Sequence, residues 1–282
     1  MKLLRYGPEG YEKPGLLDEG GKIRDLSGVV GDIAGATLSD EGLARLASID
    51  PARLPEVDPS VRLGACVAGT GKFICIGLNY SDHAAESNMT VPPEPIIFMK
   101  ATSAICGPND PVFIPKGAEK TDWEVELAFV IGKRAKYVSE DDALSYVSGY
   151  AVSNDVSERA FQAERHGQWT KGKSADHFGP TGPWLVTRDE VADPQNLKMW
   201  LKVNGQTRQD GTTATMVYGV KYLVAYLSQF MSLNPGDIVS TGTPPGVGMG
   251  MKPPTYLKPG DVIELGIAGL GEQRQVCMDD PA

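Results

Sequence analysis

Apolar residues recur along this chain with two different periods, and each period predicts a different kind of element. In DWEVELAFVIGK, strand composition and strand periodicity run from Asp122 to Ile131. Side chains of a strand alternate faces, so Glu124 and Glu126 share a side with Ala128 and Val130, while Trp123, Val125, Leu127 and Phe129 line the other. Shorter strands are predicted at Met1–Tyr6, Lys22–Asp25, Phe73–Gly77, Tyr150–Ser153 and Asp237–Ser240, between Gly and Pro turns. Helical spacing of Val220, Leu223, Val224, Leu227, Phe230 and Met231 predicts a helix over Val217–Met231, closed by Pro235-Gly236. A second helix is expected over Asp40–Ala47, opened by Ser39, and a short one after Ser139, with Asp142 completing a partial capping box. SNDVSERAFQAERHGQW, fed by the strand Tyr150–Ser153, reads as a further helix.

The first 65 residues are turn-rich and form a small N-terminal α/β domain in this reading. Asp50 to Ser60, with Pro51, Pro55 and Pro59, reads as a linker. Residues 66–282 form the second, mainly β domain. No internal repeat, heptad or low-complexity tract interrupts it.

Composition narrows the function classes. With 282 residues, 41% of them hydrophobic, the chain can bury a full core. Its 27 Lys and Arg against 36 Asp and Glu give a net charge of -9, without a basic cluster, which argues against nucleic-acid binding. The N-terminus MKLLRYGPEGYEKPG lacks the apolar core and cleavage site of a targeting segment, and no apolar run is long enough to span a membrane; a cytoplasmic protein is expected. Cys66, Cys75, Cys106 and Cys277 lie far apart in or beside apolar runs, without zinc spacing, and read as reduced core thiols.

Three segments carry candidate chemistry. Glu124 and Glu126, about 7 Å apart on one face of a strand that becomes apolar, would repel each other unless a cation neutralised them, and a hard divalent ion is the simplest solution. An exposed edge strand with two solvated glutamates is the alternative. Asp155, Arg159, Gln162 and His166 are spaced by four, three and four, one polar stripe on the expected helix. Asp155 could be a third oxygen ligand, and Arg159 and Gln162 donors to an anionic substrate; an ordinary wet helix face is the alternative. In GLNYSDHAAESN, a helix opened by Ser81 would set His83 and Glu86 three apart, a carboxylate orienting an imidazole base, or else a surface pair. Lys173, in the glycine-rich WTKGKSADHFGPTGPW, could hold a carboxylate or developing oxyanion, and Thr243 sits in STGTPPGVG, where glycines allow close approach to a ligand. GTGK at residues 69 to 72 is no phosphate-binding loop, because Cys66 replaces its first glycine and Phe73 its metal-binding hydroxyl.

GLNYSDHAAE, DWEVELAFVIGK, SGYAVSNDVSERAFQ, WTKGKSADHFGPTGPW, VNGQTRQDGTT and VSTGTPPGVG, in that order, closely resemble the fumarylacetoacetate hydrolase family, from about residue 70 to the end. The resemblance implies a mixed β-sandwich roll for the catalytic domain and usually a homodimer. It makes Glu124, Glu126 and Asp155 ligands of Mg²⁺, with Mn²⁺ suited to the same oxygens, and His83 with Glu86 a water-activating pair. Arg159, Gln162, Lys173 and Thr243 are placed around the substrate, with Lys173 or Gln162 stabilising the oxyanion. Tyr80 is assigned to the same set, and His166 to the distal group of the substrate. The largest members of the family carry a further aspartate ligand before the catalytic histidine; Ile76-Gly77-Leu78-Asn79 offers none here, so three protein ligands are expected.

The implied reaction is Mg²⁺-dependent hydrolysis of a 2,4-dioxo acid, an acylpyruvate or a 2,4-dioxo-3-deoxy sugar acid such as the rhamnonate or fuconate derivative, to pyruvate and a second small acid. The sugar acids are favoured, since a complete His-Glu pair suits hydrolysis. Ureidoglycolate lyase or oxaloacetate decarboxylase chemistry would use the same metal site, and an oxo-acid-binding module without turnover is the non-enzymatic reading.

Overall fold

The strand expected around Glu126 runs through the middle of the molecule. In the computed structural model, which describes residues 1–82 and 92–282, it spans Val125–Ile131 and is buried along its whole length. A strand covered on both faces has no solvent side to keep polar, which explains why alternation fades after Glu126. Antiparallel neighbours flank it on both edges, Val147–Asn154 on one and Ile238–Ser240 on the other.

Among the described residues this sheet has eleven strands. From one edge they run Glu56–Val57, Ile23–Asp25, Lys13–Leu17, Lys2–Tyr6, Gly179–Thr187, Val147–Asn154, Val125–Ile131, Ile238–Ser240, Phe73–Gly77 and Ile96–Lys100, with Ile105–Cys106 pairing alongside Gly179–Thr187. Most pairs are antiparallel, whereas Ile238–Ser240 runs parallel to Phe73–Gly77 and Ile105–Cys106 parallel to Gly179–Thr187. A second sheet of five strands, in the order Gln206–Thr212, Lys198–Val203, Val262–Ile267, Gly271–Asp279 and Val112–Ile114, packs on the central strands of the first. This is the mixed β-sandwich architecture expected from the sequence.

The period-two pattern sorts the central strand between two cores. Val125, Leu127, Phe129 and Ile131 face the second sheet and the helix Val220–Phe230, meeting Leu201, Leu265, Leu223 and Leu227. Ala128 and Val130 face the opposite way, beneath Leu26, Ile33, Leu38 and Leu46 from the N-terminal segment. That segment also lengthens the sheet, since Leu3 pairs with Leu185. The expected linker contributes a 3-10 turn at Pro51–Arg53 and the outermost strand Glu56–Val57.

Local capping rules hold where tertiary pairing does not override them. Ser39 caps the helix Asp40–Ala47, its hydroxyl accepting from the Gly42 N–H at 3.1 Å. Ser139 and Asp142 hydrogen bond each other, yet only a 3-10 turn follows, Ala143–Tyr146, because Val147 already belongs to the sheet. The expected helix from Asp155 to His166 is corrected: Ser157–Glu158 pairs with Thr121–Asp122, keeping the chain extended, and the helix covers only Arg159–Ala163. Among the described residues no helix is long and apolar enough to cross a membrane.

Leu127 tests the sandwich. Its buried side chain lies between the two sheets, so Leu127→Ala is expected to lower the unfolding free energy by about 2–5 kcal/mol. Urea denaturation with an unchanged slope reads this; a loss below about 1 kcal/mol would show that the surroundings collapse into the space.

Candidate metal centre and active site

Strand register assembles the acidic cluster. Val125 lies opposite Asn154, so the residues just beyond each strand end, Glu124 and Asp155, also meet, and the Asp155 N–H donates to the Glu124 carbonyl at 2.9 Å. Glu126 lies opposite Ser153, one pleat further in, on the same side of its strand as Glu124. Carboxylate oxygens from Glu124, Glu126 and Asp155 consequently lie within 4.8 Å of one another, and all three residues are buried.

Three cations surround this cluster without reaching every member. The Lys173 ammonium donates to Glu124 Oε2 at 2.8 Å and Asp155 Oδ2 at 2.7 Å. Lys100, buried at the end of the edge strand, donates to Asp155 Oδ1 at 2.5 Å and to the Val156 carbonyl at 2.9 Å. Arg159 donates to Glu124 Oε1 at 2.6 Å, Asp122 Oδ2 at 2.8 Å and Gln162 Oε1 at 3.1 Å. Among the described residues Glu126 has no cationic partner; Ser240 Oγ at 2.5 Å and the Gly242 N–H at 2.9 Å donate to its Oε2. Gly242 reaches that position with φ of 96°, a conformation costly for any other residue.

The electrostatic consequences separate the two glutamates. Burial pushes the Glu124 carboxyl up, but Arg159 and then Lys173 outweigh it and hold the group well below the usual carboxylate range. Burial, followed by repulsion from Asp155 and Glu124, raises Glu126 well above its ordinary 4.5. The donors are hard carboxylate oxygens, one of them uncompensated, and Lys173 places a positive charge between the other two. That donor set fits a hard divalent cation held by Glu124, Glu126 and Asp155.

The carboxylates open into a cavity of about 190 Å³, which Arg159, Gln162, Lys173 and Thr243 also line. Thr243 Oγ1 donates to the Val125 carbonyl at 2.9 Å and accepts from Gln209 at 2.8 Å, fixing the loop beside the carboxylates. The structure thus brings together seven of the residues expected from the sequence. His83 and Glu86 lie outside the described residues. Tyr80 is corrected: it is fully buried in the sandwich core, its hydroxyl directed at Met199 Sδ at 3.3 Å, and it does not line the cavity. His166 is exposed in a turn beyond the helix, with φ of 62°, and is likewise absent from the cavity wall.

Sequence reasoning missed two charged partners. Lys100 closes the apolar run IIFM, a common pattern whose meaning depends on the strand lying at Asp155. Asp122 is a buried hub that accepts from Arg159 and from the Gly248 and Met249 N–H groups, binding the cluster to the 243–251 loop. It also missed Phe98, Trp169 and Met249 in the cavity wall.

Comparison with known proteins identifies the family. The model of the fumarylacetoacetate hydrolase C-terminal family matches residues 72–277. A Burkholderia cenocepacia protein, whose name goes no further than hydrolase, is 64% identical over 280 residues, 99% of either chain. The solved fumarylacetoacetate hydrolase of Exiguobacterium antarcticum superposes with a TM-score of 0.88 at 36% identity, covering 99% of this chain and 100% of its own. Maleylpyruvate hydrolase from Sphingobium sp. SYK-6, solved with manganese(II) and pyruvate, gives 0.82 at 30% identity, with 99% of each chain covered.

The raised Glu126 carboxyl makes metal-free stability depend on pH. Between 4.5 and the raised value the folded chain holds a proton that the unfolded chain has released, so stability falls as pH rises through that window. Glu126→Gln should abolish this slope, leave the metal-free Tm at neutral pH at or above that of the parent, and lose the Tm increase that Mn²⁺ gives the parent. A variant less stable without metal yet still stabilised by Mn²⁺ would contradict the assignment.

Proposed function

The chain belongs to the fumarylacetoacetate hydrolase family, and on that footing we propose that it is a divalent-metal-dependent hydrolase cleaving the C–C bond of a 2,4-dioxo acid to pyruvate and a second acid. The observation that carries this reading is the charge balance of the cavity. Among the described residues of its wall, Glu124, Glu126 and Asp155 face Arg159 and Lys173, one carboxylate more than the cations once all three are ionised around a metal. A divalent ion turns one excess negative charge into one excess positive charge, which suits the single carboxylate of a 2-oxo acid. The Mn²⁺ and pyruvate in the Sphingobium enzyme support both the ion and the product.

Mg²⁺ or Mn²⁺ held by Glu124, Glu126 and Asp155 would supply Lewis acidity toward the carboxylate and 2-oxo oxygens. The protein's own groups do the rest. Arg159 has a protein oxygen on each guanidinium nitrogen, so it acts as a positioning residue for Glu124 and Gln162. Lys173 and the Gln162 amide are the donors for the oxyanion that forms at the distal carbonyl. His83, oriented by Glu86, takes a proton from water as the water oxygen bonds to that carbonyl carbon. The bond to the methylene carbon then breaks, its electron pair passing to that carbon, and protonation there completes pyruvate while the distal part leaves as a carboxylate.

The test follows the near-ultraviolet absorbance of the enolised dioxo group in acetylpyruvate. Bleaching with pyruvate release is expected with Mg²⁺ or Mn²⁺ and is lost with chelator. His83→Ala should lower kcat by about 10²–10⁴-fold with little change in KM. If the metal-loaded protein releases no pyruvate, or if His83→Ala turns over normally, the mechanism is wrong.

A further inference from the structure

Apart from Lys173 and the Gln162 amide, the donors assigned to the oxyanion, the polar side chains of the cavity among the described residues are already committed. The three carboxylates belong to the ion site, Arg159 is engaged at every nitrogen, and the Thr243 hydroxyl both donates and accepts within the protein. Among the described residues the remaining side chains of the wall are apolar, those of Ile76, Leu78, Phe98, Ala163, Trp169 and Met249. Phe98 and Trp169 meet edge to face, ring centroids 5.2 Å apart at 61°. The Lys173 ammonium lies 4.9 Å from the Phe98 ring centroid, so the aromatic surface begins directly beside the charged floor.

The local backbone is built around this wall. Trp169 lies so close to the strand end at Gly77 that a Cβ there would come within 2.5 Å of its ring, so glycine is required at 77. Met249 stands at 38% exposure, a flexible thioether able to adapt to a flat surface.

We propose that the Phe98–Trp169 wall selects substrates whose distal group is apolar and planar, an aromatic or conjugated acyl group, over the polyhydroxylated tails of sugar-derived acids. This rests on the 2,4-dioxo acid reading and fixes the part of the substrate which that reading leaves open. A ring lying against Phe98 and Trp169 gains apolar burial and edge or face contacts. A chain of hydroxyls laid against the faces of these two rings gives up water without finding partners on them, at about 1–3 kcal/mol for each group left unsatisfied. On this proposal the preferred substrate would be aroylpyruvate-like rather than one of the sugar acids favoured from the sequence.

Two measurements separate this inference from the reading beneath it. Acetylpyruvate turnover tests the hydrolase alone. Calorimetric titration of the Mn²⁺-loaded protein with two acids that lack the 4-oxo group, phenylpyruvate and 2-oxo-3-deoxygluconate, tests the wall whether or not turnover is seen. Phenylpyruvate is expected to bind at least about tenfold more tightly. Phe98→Leu and Trp169→Leu, each checked for a Tm near the parent's, should shrink that ratio severalfold. Equal affinities, or tighter binding of 2-oxo-3-deoxygluconate by the parent protein, would overturn the proposal even if acetylpyruvate is cleaved, and neither result depends on a variant folding.

Discussion

Three carboxylates forced together at a buried strand end, one of them without a cationic partner among the described residues, are the constraint on which the rest of this structure turns. Removing an ionised carboxylate from water costs several kcal/mol unless charge and hydrogen bonds compensate. The fold answers with Lys100, Lys173 and Arg159, yet among the described residues Glu126 has only Ser240 and the Gly242 N–H. An incompletely neutralised buried cluster is poorly explained as a stabilising device. It is well explained as a seat for a cation.

The scaffold around the cluster follows from where it must be held. A central strand paired on both edges and packed on both faces cannot shift without breaking two cores, so Glu124 and Glu126 inherit its rigidity. The five-stranded sheet supplies Gln209, whose amide donates to Thr243 and accepts from the Val125 N–H, connecting the second sheet to the carboxylate side of the first. Asp122 does the same for the 243–251 loop through Gly248 and Met249. The floor of the cavity is therefore fixed by elements from distant parts of the chain.

Polarity inside the cavity is divided. Charged groups line the part proposed to hold a metal ion and the 2-oxo acid end of a substrate, and the aromatic pair Phe98 and Trp169 lines the part proposed to meet its distal group. The short helix Arg159–Ala163 and the turn Thr170–Lys173 connect the two regions, since one sets Arg159 and Gln162 and the other carries Lys173 one turn after Trp169. Reaction and specificity thus share a few residues of chain.

The sequence by itself determined what depends on neighbours along the chain. Period-two alternation placed Glu124 and Glu126 on one face, Ser39 fixed the start of the helix Asp40–Ala47, and apolar spacing located the helix ending at Phe230. It also singled out Asp155, Arg159, Gln162, Lys173 and Thr243, which the fold brings to one cavity. Only tertiary structure decided how the elements meet. Asp155 reaches Glu124 through strand register rather than a helical stripe, because Ser157–Glu158 pairs with Thr121–Asp122, and that pairing also leaves His166 beyond the helix. Tyr80 looks like a ligand-binding residue in its motif and is drawn into the core by the apolar residues around it. Lys100 joins the site from the far edge of the sheet, beyond two intervening strands. Local pattern records which face a side chain takes, but charge neutralisation and cavity shape are set by pairs remote in sequence, and those exist only once the strands have found their register.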